Sequence, residues 1–300
     1  MSFRLWRPRS QNAVYRAELR ALLSPYLLGA IVLVAIPALL SFALAFTRYD
    51  GMSAPMWTGL QNFSLMAADP RFPIAMTNSL FFVVVAVPLR VLGALGLALL
   101  LDRRRRGVGV YRAAVYWPTV IPDAAYALIW LWVLNPLYGP LNMILGALGL
   151  PTPAWLVDAN SAKPALVLMS LFQIGEGFVL LLAALQNVPK ECLDAATVDG
   201  GNRRQVFRYI TLPLIMPWLV LLTIRDTIMS FQNTFTPAYL MTGGDPYYAT
   251  LFMPLLTYEE AFGGLRLGLG SALMLLMTLI TALLIGVVYL LFRGRDYAGD

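Results

Sequence analysis

The sequence contains no histidine and only one cysteine, Cys192, among its 300 residues. Without histidine the chain cannot form His-based proton relays or catalytic triads, and one thiol allows neither an intramolecular disulfide nor a thiolate-bound metal cluster. A Gly-rich phosphate loop followed by lysine is also missing. We therefore expect that the chain is not an enzyme, binds no metal or cofactor, and relies on another chain if ATP drives its activity.

Charged residues are scarce as well, at 13% of the chain, whereas hydrophobic residues make up 59%. The mean hydropathy is +0.69. Soluble domains carry about 25% charged residues, so this composition predicts a polytopic membrane protein. The formal net charge of +6 does not by itself indicate nucleic-acid binding, and we expect no nucleic-acid partner.

Six apolar intervals are each close to the length of about 20 residues that an α-helix needs to cross the hydrocarbon core. The predicted fold is therefore all-α, with a cytoplasmic segment 1–24, a six-helix transmembrane domain 25–292 and a cytoplasmic tail 293–300. We interpret the first interval as a retained anchor because it is longer than a signal-peptide core. The intervals are about 25–46, 77–101, 113–134, 164–186, 214–239 and 267–292.

The basic residues predict the orientation of these helices, because cytoplasmic loops carry an excess of lysine and arginine. With both termini inside, 16 of the 22 basic residues fall in cytoplasmic segments and four in external ones. Arg90 and Arg225 lie within spans. The run from Arg103 to Arg106 is best explained as a topology determinant, with contact to anionic lipid as a secondary possibility.

The polar stretch 188–217 separates two of these spans and is predicted to be cytoplasmic. Pro189 suits the first position of a helix, Gly200 permits a sharp turn, and Asn202 is a good N-cap for a second helix. The stretch is therefore predicted to fold as a helix–turn–helix.

The same stretch resembles the EAA loop of binding-protein-dependent ABC importer permeases. That motif has an acidic residue and two alanines, then glycine, then Ile-x-Leu-Pro at fixed spacing. Asp replaces the commoner Glu here, and every spacing fits. The matching residues are Asp194, Ala195, Ala196, Gly200, Ile210, Leu212 and Pro213.

Further segments resemble the carbohydrate-importer permeases of the maltose, glycerol-3-phosphate and lactose group. The chain departs from that group in its short first outer loop, in Asp245, and in Glu176 and the Arg225-Asp226 pair, so the solute stays open. The matching segments are Trp57-x-Gly-Leu-x-Asn62-Phe63, Arg106-Gly107 with Arg112, Trp117-Pro118 with Pro122, Asn135-Pro136 with Gly139 and Asn142, and residues 240–244.

This resemblance implies a type I importer architecture in the bacterial inner membrane. The assembly would contain a second permease subunit, two ATPase subunits that hold ATP and Mg²⁺, and an extracytoplasmic solute-binding protein. The coupling loop, residues 188–213, would then contact an ATPase. Its implied contact residues are Asp194, Ala195, Ala196, Asp199, Gly200, Arg203, Arg204 and Arg208.

Five charged residues fall inside the predicted spans, where each costs several kcal/mol unless it faces water or a partner. Some are expected to line the solute path, while internal ion pairs such as Arg90 with Glu176 are the structural alternative. Arg225 and Asp226 are adjacent, so we expect them not to face one another. The candidate path residues are Glu176, Gln232, Asn233, Gln173, Trp130 and Asp226.

The alternative function is a self-contained secondary transporter or channel in which the intramembrane charges form an ion-coupling relay. It predicts uptake by this chain alone, driven by a proton or sodium gradient. It does not explain the long-range spacing of the loop motif.

Overall fold

A computed structural model of the chain describes residues 11–102 and 106–293. Several predicted features lie outside these residues. They are most of the N-terminal basic cluster (Arg4, Arg7 and Arg9), the middle of the second basic run (Arg103, Arg104 and Arg105) and the tail from residue 294, with Arg295.

Helices form most of the described chain, as the sequence predicts. We number them α1 Gln11–Ala30, α2 Ile36–Leu44, α3 Gln61–Ala68, α4 Arg71–Leu101, α5 Val108–Tyr116, α6 Asp123–Val133, α7 Pro140–Ala147, α8 Ala159–Ser170, α9 Gly175–Gln186, α10 Lys190–Val198, α11 Arg203–Val206, α12 Leu212–Gln232, α13 Phe235–Pro237, α14 Met253–Tyr258 and α15 Leu267–Arg293. Short π-helical segments are Ile31–Ala35, Phe207–Thr211, Ala238–Thr242 and Glu259–Gly263, a 3₁₀ turn is Trp117–Val120, and two short strands, β1 Thr47–Arg48 and β2 Met56–Trp57, pair antiparallel.

Within the described residues, four helices are long and apolar enough to cross a membrane: Glu18–Leu44, Arg71–Leu101, Arg203–Thr242 and Leu267–Phe292. Helices α8 and α9, bent by 44° at the residues between them, make a fifth span if they are counted together. The predicted fourth span is therefore a broken helix that begins at Ala159 rather than at residue 164. The helices that contain the second and fifth predicted spans extend further toward the N-terminus than those spans and begin at Arg71 and Arg203.

The predicted third span is divided rather than kinked. Ile121 and Pro122 have extended backbone angles between the 3₁₀ turn and α6, because the residue before a proline is pushed out of the α region. Pro118 occupies an early position of the 3₁₀ turn, where its missing N–H is not required. The break exposes polar backbone and side chains beside Asp123.

Helix α4 is the centre of the packing, since it contacts α8, α9, α12 and α14. Its buried face carries small residues, including Ala75, Ala86, Ala94 and Ala98, which let neighbouring helices approach closely, as is common between membrane helices. One apolar cluster joins α4 to α6, α8 and α14, and a second joins it to α9 and α12. Helices α9 and α12, which flank the predicted coupling loop, are therefore fixed to the same scaffold.

The predicted outer loop after α2 is closed by Asn62. Its amide donates to the carbonyl oxygens of Ala45 and Thr47, each at 2.8 Å, and Trp57 stacks on Phe46 with ring centroids 5.7 Å apart. These contacts give a structural reason for the Trp-x-Gly-Leu-x-Asn-Phe segment. They hold the end of the first membrane helix against the start of α15.

Gly268 lies where α15 meets this loop. A Cβ atom there would be 2.1 Å from the Thr47 carbonyl oxygen, whereas a Cβ at Gly286 on the same helix would meet nothing within 4 Å. We expect Gly268→Ala to destabilise the protein by about 1–3 kcal/mol through overpacking, and the matched control Gly286→Ala to have no destabilising effect. Thermal unfolding of the purified protein followed by size-exclusion chromatography measures both, and equal melting temperatures would contradict the prediction.

Candidate functional site

The predicted coupling loop folds as two helices joined by a tight turn. Helix α10 begins at Lys190, so Pro189 is the N-cap and not the first helical residue as predicted. Gly200 follows the end of α10 with φ of 79°, a conformation that favours glycine. Asn202 caps the second helix as predicted, and it forms a reciprocal capping box with Gln205, with bonds of 3.0 and 2.9 Å.

The surface of this loop has few partners within the chain. No residue of α10 is buried, and Val198 and Tyr209 are 87% and 71% exposed. Asp194, the acidic residue of the motif, is exposed and has no ion pair among the residues that the structure describes. Of the other motif-region residues, Ala196 is half-buried and the rest are exposed, namely Ala195, Asp199, Gly200, Arg203, Arg204 and Arg208.

A recess of about 260 Å³ lies between the two helices of the loop. Its lining includes Ala196, Gly200, Gln205 and Tyr209. The small residues Ala196 and Gly200 leave the recess open on one side, while Tyr209 provides an aromatic wall. This combination of a recess with polar and apolar lining, a carboxylate without an ion pair among the described residues and flanking arginines is suited to contact with another protein.

The second helix of the loop continues directly into the membrane. Residues Arg203–Thr242 form one helical segment of 40 residues, which includes π-helical turns at Phe207–Thr211 and Ala238–Thr242. A displacement of the loop would thus be transmitted along this helix to its intramembrane part. The sequence predicted the two parts but not their continuity.

A polar cavity of about 240 Å³ lies where α4, α9 and α12 meet the breaks in the third and fourth predicted spans. It brings together residues from the second, third, fourth and fifth predicted spans. Gln173, Glu176 and Asn233, which the sequence predicted for the solute path, line it together. The full lining is Arg90, Thr119, Asp123, Gln173, Glu176, Arg225, Met229 and Asn233.

The charges around this cavity form pairs that differ from those expected. Arg90 Nε lies 3.4 Å from Asp226 Oδ2, and the two side chains are only 11% and 5% exposed. Arg225 contacts both Glu176 and, at 3.4 Å, Asp226. The expected Arg90–Glu176 pair is thus wrong, because the buried Asp226 carboxylate lies between α4 and α12. The expectation that Arg225 and Asp226 do not meet is wrong too, because the long arginine side chain folds back.

Three of the predicted path residues lie elsewhere. Trp130 is 9% exposed and packs among Tyr126 and Phe172, so it belongs to the apolar core. Asp226, at 4% exposure, is buried behind the cavity wall. Gln232 is exposed but lines a separate apolar groove between α12, α14 and α15.

An ion-pair cluster near the predicted outer ends of the helices was not predicted from the sequence. Glu260, 3% exposed, pairs with Arg71 and with Arg266, the latter at 2.5 Å. Arg71 also binds Asp69 at 2.7 Å, and its hydrogen bond lowers the pKa of Asp69 below the ordinary value. The residues of the cluster are up to 197 positions apart in the sequence, from Asp69 to Arg266, so no local sequence pattern indicates the cluster. It ties α4 to the segment that precedes α15.

The sequence was compared with models of protein families, and the result is consistent with an exposed loop that is joined to a membrane domain. Residues 91–295 match the model of the binding-protein-dependent transport system inner membrane component. The chain belongs to this family. It is therefore a membrane component of a binding-protein-dependent transport system.

Several permeases of other organisms are similar to this chain over most of their length. The probable ABC transporter permease YesP of Bacillus subtilis is 34% identical over 92% of this chain and 90% of its own length. The sn-glycerol-3-phosphate permease UgpA of Brucella abortus is 32% identical over 87% of this chain and 90% of its own length. The trehalose/maltose permease MalF of Thermococcus litoralis is 33% identical over 89% of this chain and 90% of its own length.

Solved structures support the fold of the permease. A chain of a bacterial alginate ABC transporter, crystallised with an alginate pentasaccharide-bound periplasmic protein, superposes with a TM-score of 0.81. The match covers 97% of this chain and 100% of that chain at 19% identity. An amino acid ABC transporter is more distant, with a TM-score of 0.51 and 15% identity. That match covers 78% of this chain and 98% of the other chain. The described chain thus shares its overall fold with a chain of an ABC transporter.

Proposed function

We propose that this chain is one of two permease subunits of an ATP-driven importer of carbohydrate-type solutes in the bacterial inner membrane. The observation that carries the proposal is the exposed helix pair α10–α11, whose acidic, small and basic residues have no partner within the described chain. Relatives named for trehalose/maltose and sn-glycerol-3-phosphate transport support a polyhydroxylated solute.

In this proposal the divided helices α5–α6 and the bent pair α8–α9 are the third and fourth of six spans. Both termini are then cytoplasmic, in agreement with the distribution of basic residues. The coupling loop, residues 188–213, faces the cytoplasm and docks on an ATPase subunit. ATP and Mg²⁺ are held by the ATPase pair, and an extracytoplasmic binding protein delivers the solute.

The solute path on this subunit includes the polar cavity. Its lining by Gln173, Glu176 and Asn233 supplies hydrogen-bond donors and acceptors suited to hydroxyl groups. Polar side chains at breaks in membrane helices are where transporter sites are commonly built, because irregular backbone is tolerated beside a water-filled cavity. Movement of the helix Arg203–Thr242 by the loop would change the shape of this cavity.

Reconstitution distinguishes this proposal from a self-contained secondary transporter. Proteoliposomes with the full assembly and the solute-loaded binding protein are expected to take up solute only when ATP is supplied to the ATPases. Vesicles with this chain alone, or with the two permeases alone, are expected to remain at background in proton and sodium gradients. Gradient-driven uptake by the chain alone would refute the proposal and support the ion-coupling relay.

A further inference from the structure

The charges of the polar cavity restrict the class of solute, an inference that depends on the proposed function. Names within the family do not settle this class, since relatives are named for neutral sugars and for the anion sn-glycerol 3-phosphate. We propose that the cavity of this subunit has a net negative charge and selects neutral or cationic polyhydroxylated solutes over anionic ones.

Both guanidinium groups at the cavity are already paired. Arg90 is nearly buried and lies beside Asp226. Arg225 contacts Glu176 and Asp226. An anionic solute would therefore have to compete with a protein carboxylate for its cationic partner. At Arg90 the competitor is the buried Asp226, which would be left unpaired in a medium of low dielectric constant, and at Arg225 it is the exposed Glu176.

The carboxylates outnumber the arginines. Asp123 and Glu176 line the cavity and balance its two arginines, and Asp226, which pairs with both arginines from behind the cavity wall, brings the formal count to three negative charges against two positive ones. Asp123 lines the cavity, is exposed, and has no ion pair among residues 11–102 and 106–293 for which side chains are given. The formal sum is one negative charge, and a cleft with low-dielectric walls concentrates its field on whatever enters.

The geometry also explains how an uncharged solute is recognised. Asp123 and the exposed Glu176 present carboxylate oxygens that accept hydrogen bonds from hydroxyl groups, and such charge-assisted bonds are roughly twice as strong as neutral ones. Gln173 and Asn233 add amide donors and acceptors on neighbouring segments. A polyol, a sugar or an amino sugar satisfies these groups without breaking an ion pair.

Charged thiol reagents test the sign of the potential without knowledge of the solute. The Cys192→Ser variant provides a thiol-free chain, into which Met229→Cys places a thiol on the cavity wall. Leu137→Cys is the matched control, because Leu137 is 88% exposed and residues 135–157 contain no charged residue. The complete importer, reconstituted in vesicles, is treated with trimethylammonium-ethyl and sulfonato-ethyl methanethiosulfonate in separate reactions.

We expect the cationic reagent to react with Met229→Cys about tenfold faster than the anionic one after normalisation to Leu137→Cys. Adding Asp123→Asn and Glu176→Gln changes the formal sum to one positive charge and is expected to reverse the preference. Equal rates or an anionic preference in the parent would overturn the proposal. Failure of both reagents to react would also overturn it, since water would not reach the cavity.

The solute class is then determined from the ligand retained by the binding protein that stimulates ATP hydrolysis by the complex. Mass spectrometry is expected to identify a neutral or basic compound. A phosphate, sulfate or carboxylate ester or acid, taken up in an ATP-dependent manner, would overturn the charge inference and leave the importer function standing. Loss of the ATP requirement would instead overturn the importer function.

Discussion

Replacing residues 194–200 by a flexible linker of the same length is expected to reduce ATP-driven uptake to the level of vesicles without importer. The replacement removes the exposed carboxylate Asp194, the small pair Ala195–Ala196 and the turn at Gly200. These residues contribute little to packing, because no residue of α10 is buried. The variant should therefore insert and purify with its partner permease while the ATPases no longer co-purify.

Point variants on α10 separate a docking role from a general defect of the loop. Asp194→Lys is expected to weaken ATPase binding by about 2–5 kcal/mol, as reversal of one member of a desolvated charge pair does. Cys192→Ser is the matched control, because Cys192 is exposed on the same helix two residues away and faces a different side. ATPase co-purification and coupled ATP hydrolysis measure both. A complete, active assembly with Asp194→Lys would contradict the assignment.

Removal of the buried Asp226 carboxylate is expected to destabilise the protein strongly. In Asp226→Leu, the nearly buried Arg90 loses the one carboxylate that lies within ion-pair distance of it among the described residues. Breaking one member of a buried ion pair typically costs about 3–5 kcal/mol. We therefore expect a large fall in melting temperature and in the folded fraction recovered from membranes.

A second substitution distinguishes an unpaired charge from a simple packing defect. The double variant Arg90→Met with Asp226→Leu removes both charges and is expected to recover most of the stability, because apolar replacement of a buried pair is often neutral or better. Glu176→Gln is the control for an exposed pair, since Glu176 is 52% exposed, and is expected to cost at most about 1 kcal/mol. No recovery in the double variant would argue that packing alone explains the loss.

Some elements of the structure were predictable because their signals are local. Asn202 was predicted to be an N-cap because its side-chain oxygen can accept a hydrogen bond from a backbone N–H of the first helical turn. Gly200 was predicted to form a turn because glycine adopts positive φ angles without strain. The apolar intervals that contain α4 and α15 were also predictable from local sequence. A helix in lipid forms all its backbone hydrogen bonds within one continuous apolar segment, so its signal is local. The coupling-loop roles of Asp194 and its neighbours remain predictions.

Other features depended on distant parts of the chain. The Arg90–Asp226 pair, the burial of Trp130 and the cluster around Glu260 each join residues from different helices. The sequence gives both Glu176 and Asp226 as candidate path residues inside predicted spans, whereas the fold buries Asp226 and exposes Glu176 to the cavity. Pro122 predicted a kink in the third span, whereas the structure shows that the helix is interrupted there.

Membership of a permease family, a mostly helical fold and the helix–turn–helix at residues 188–213 all follow from residue order, because hydropathy, turn chemistry and motif spacing act over short distances. Helix rotation and pairing in the membrane follow from packing and from ion pairs between segments more than a hundred residues apart. The choice of which charges face water and which are buried is made at that level. For this reason the cavity and its net charge emerged only from the folded chain.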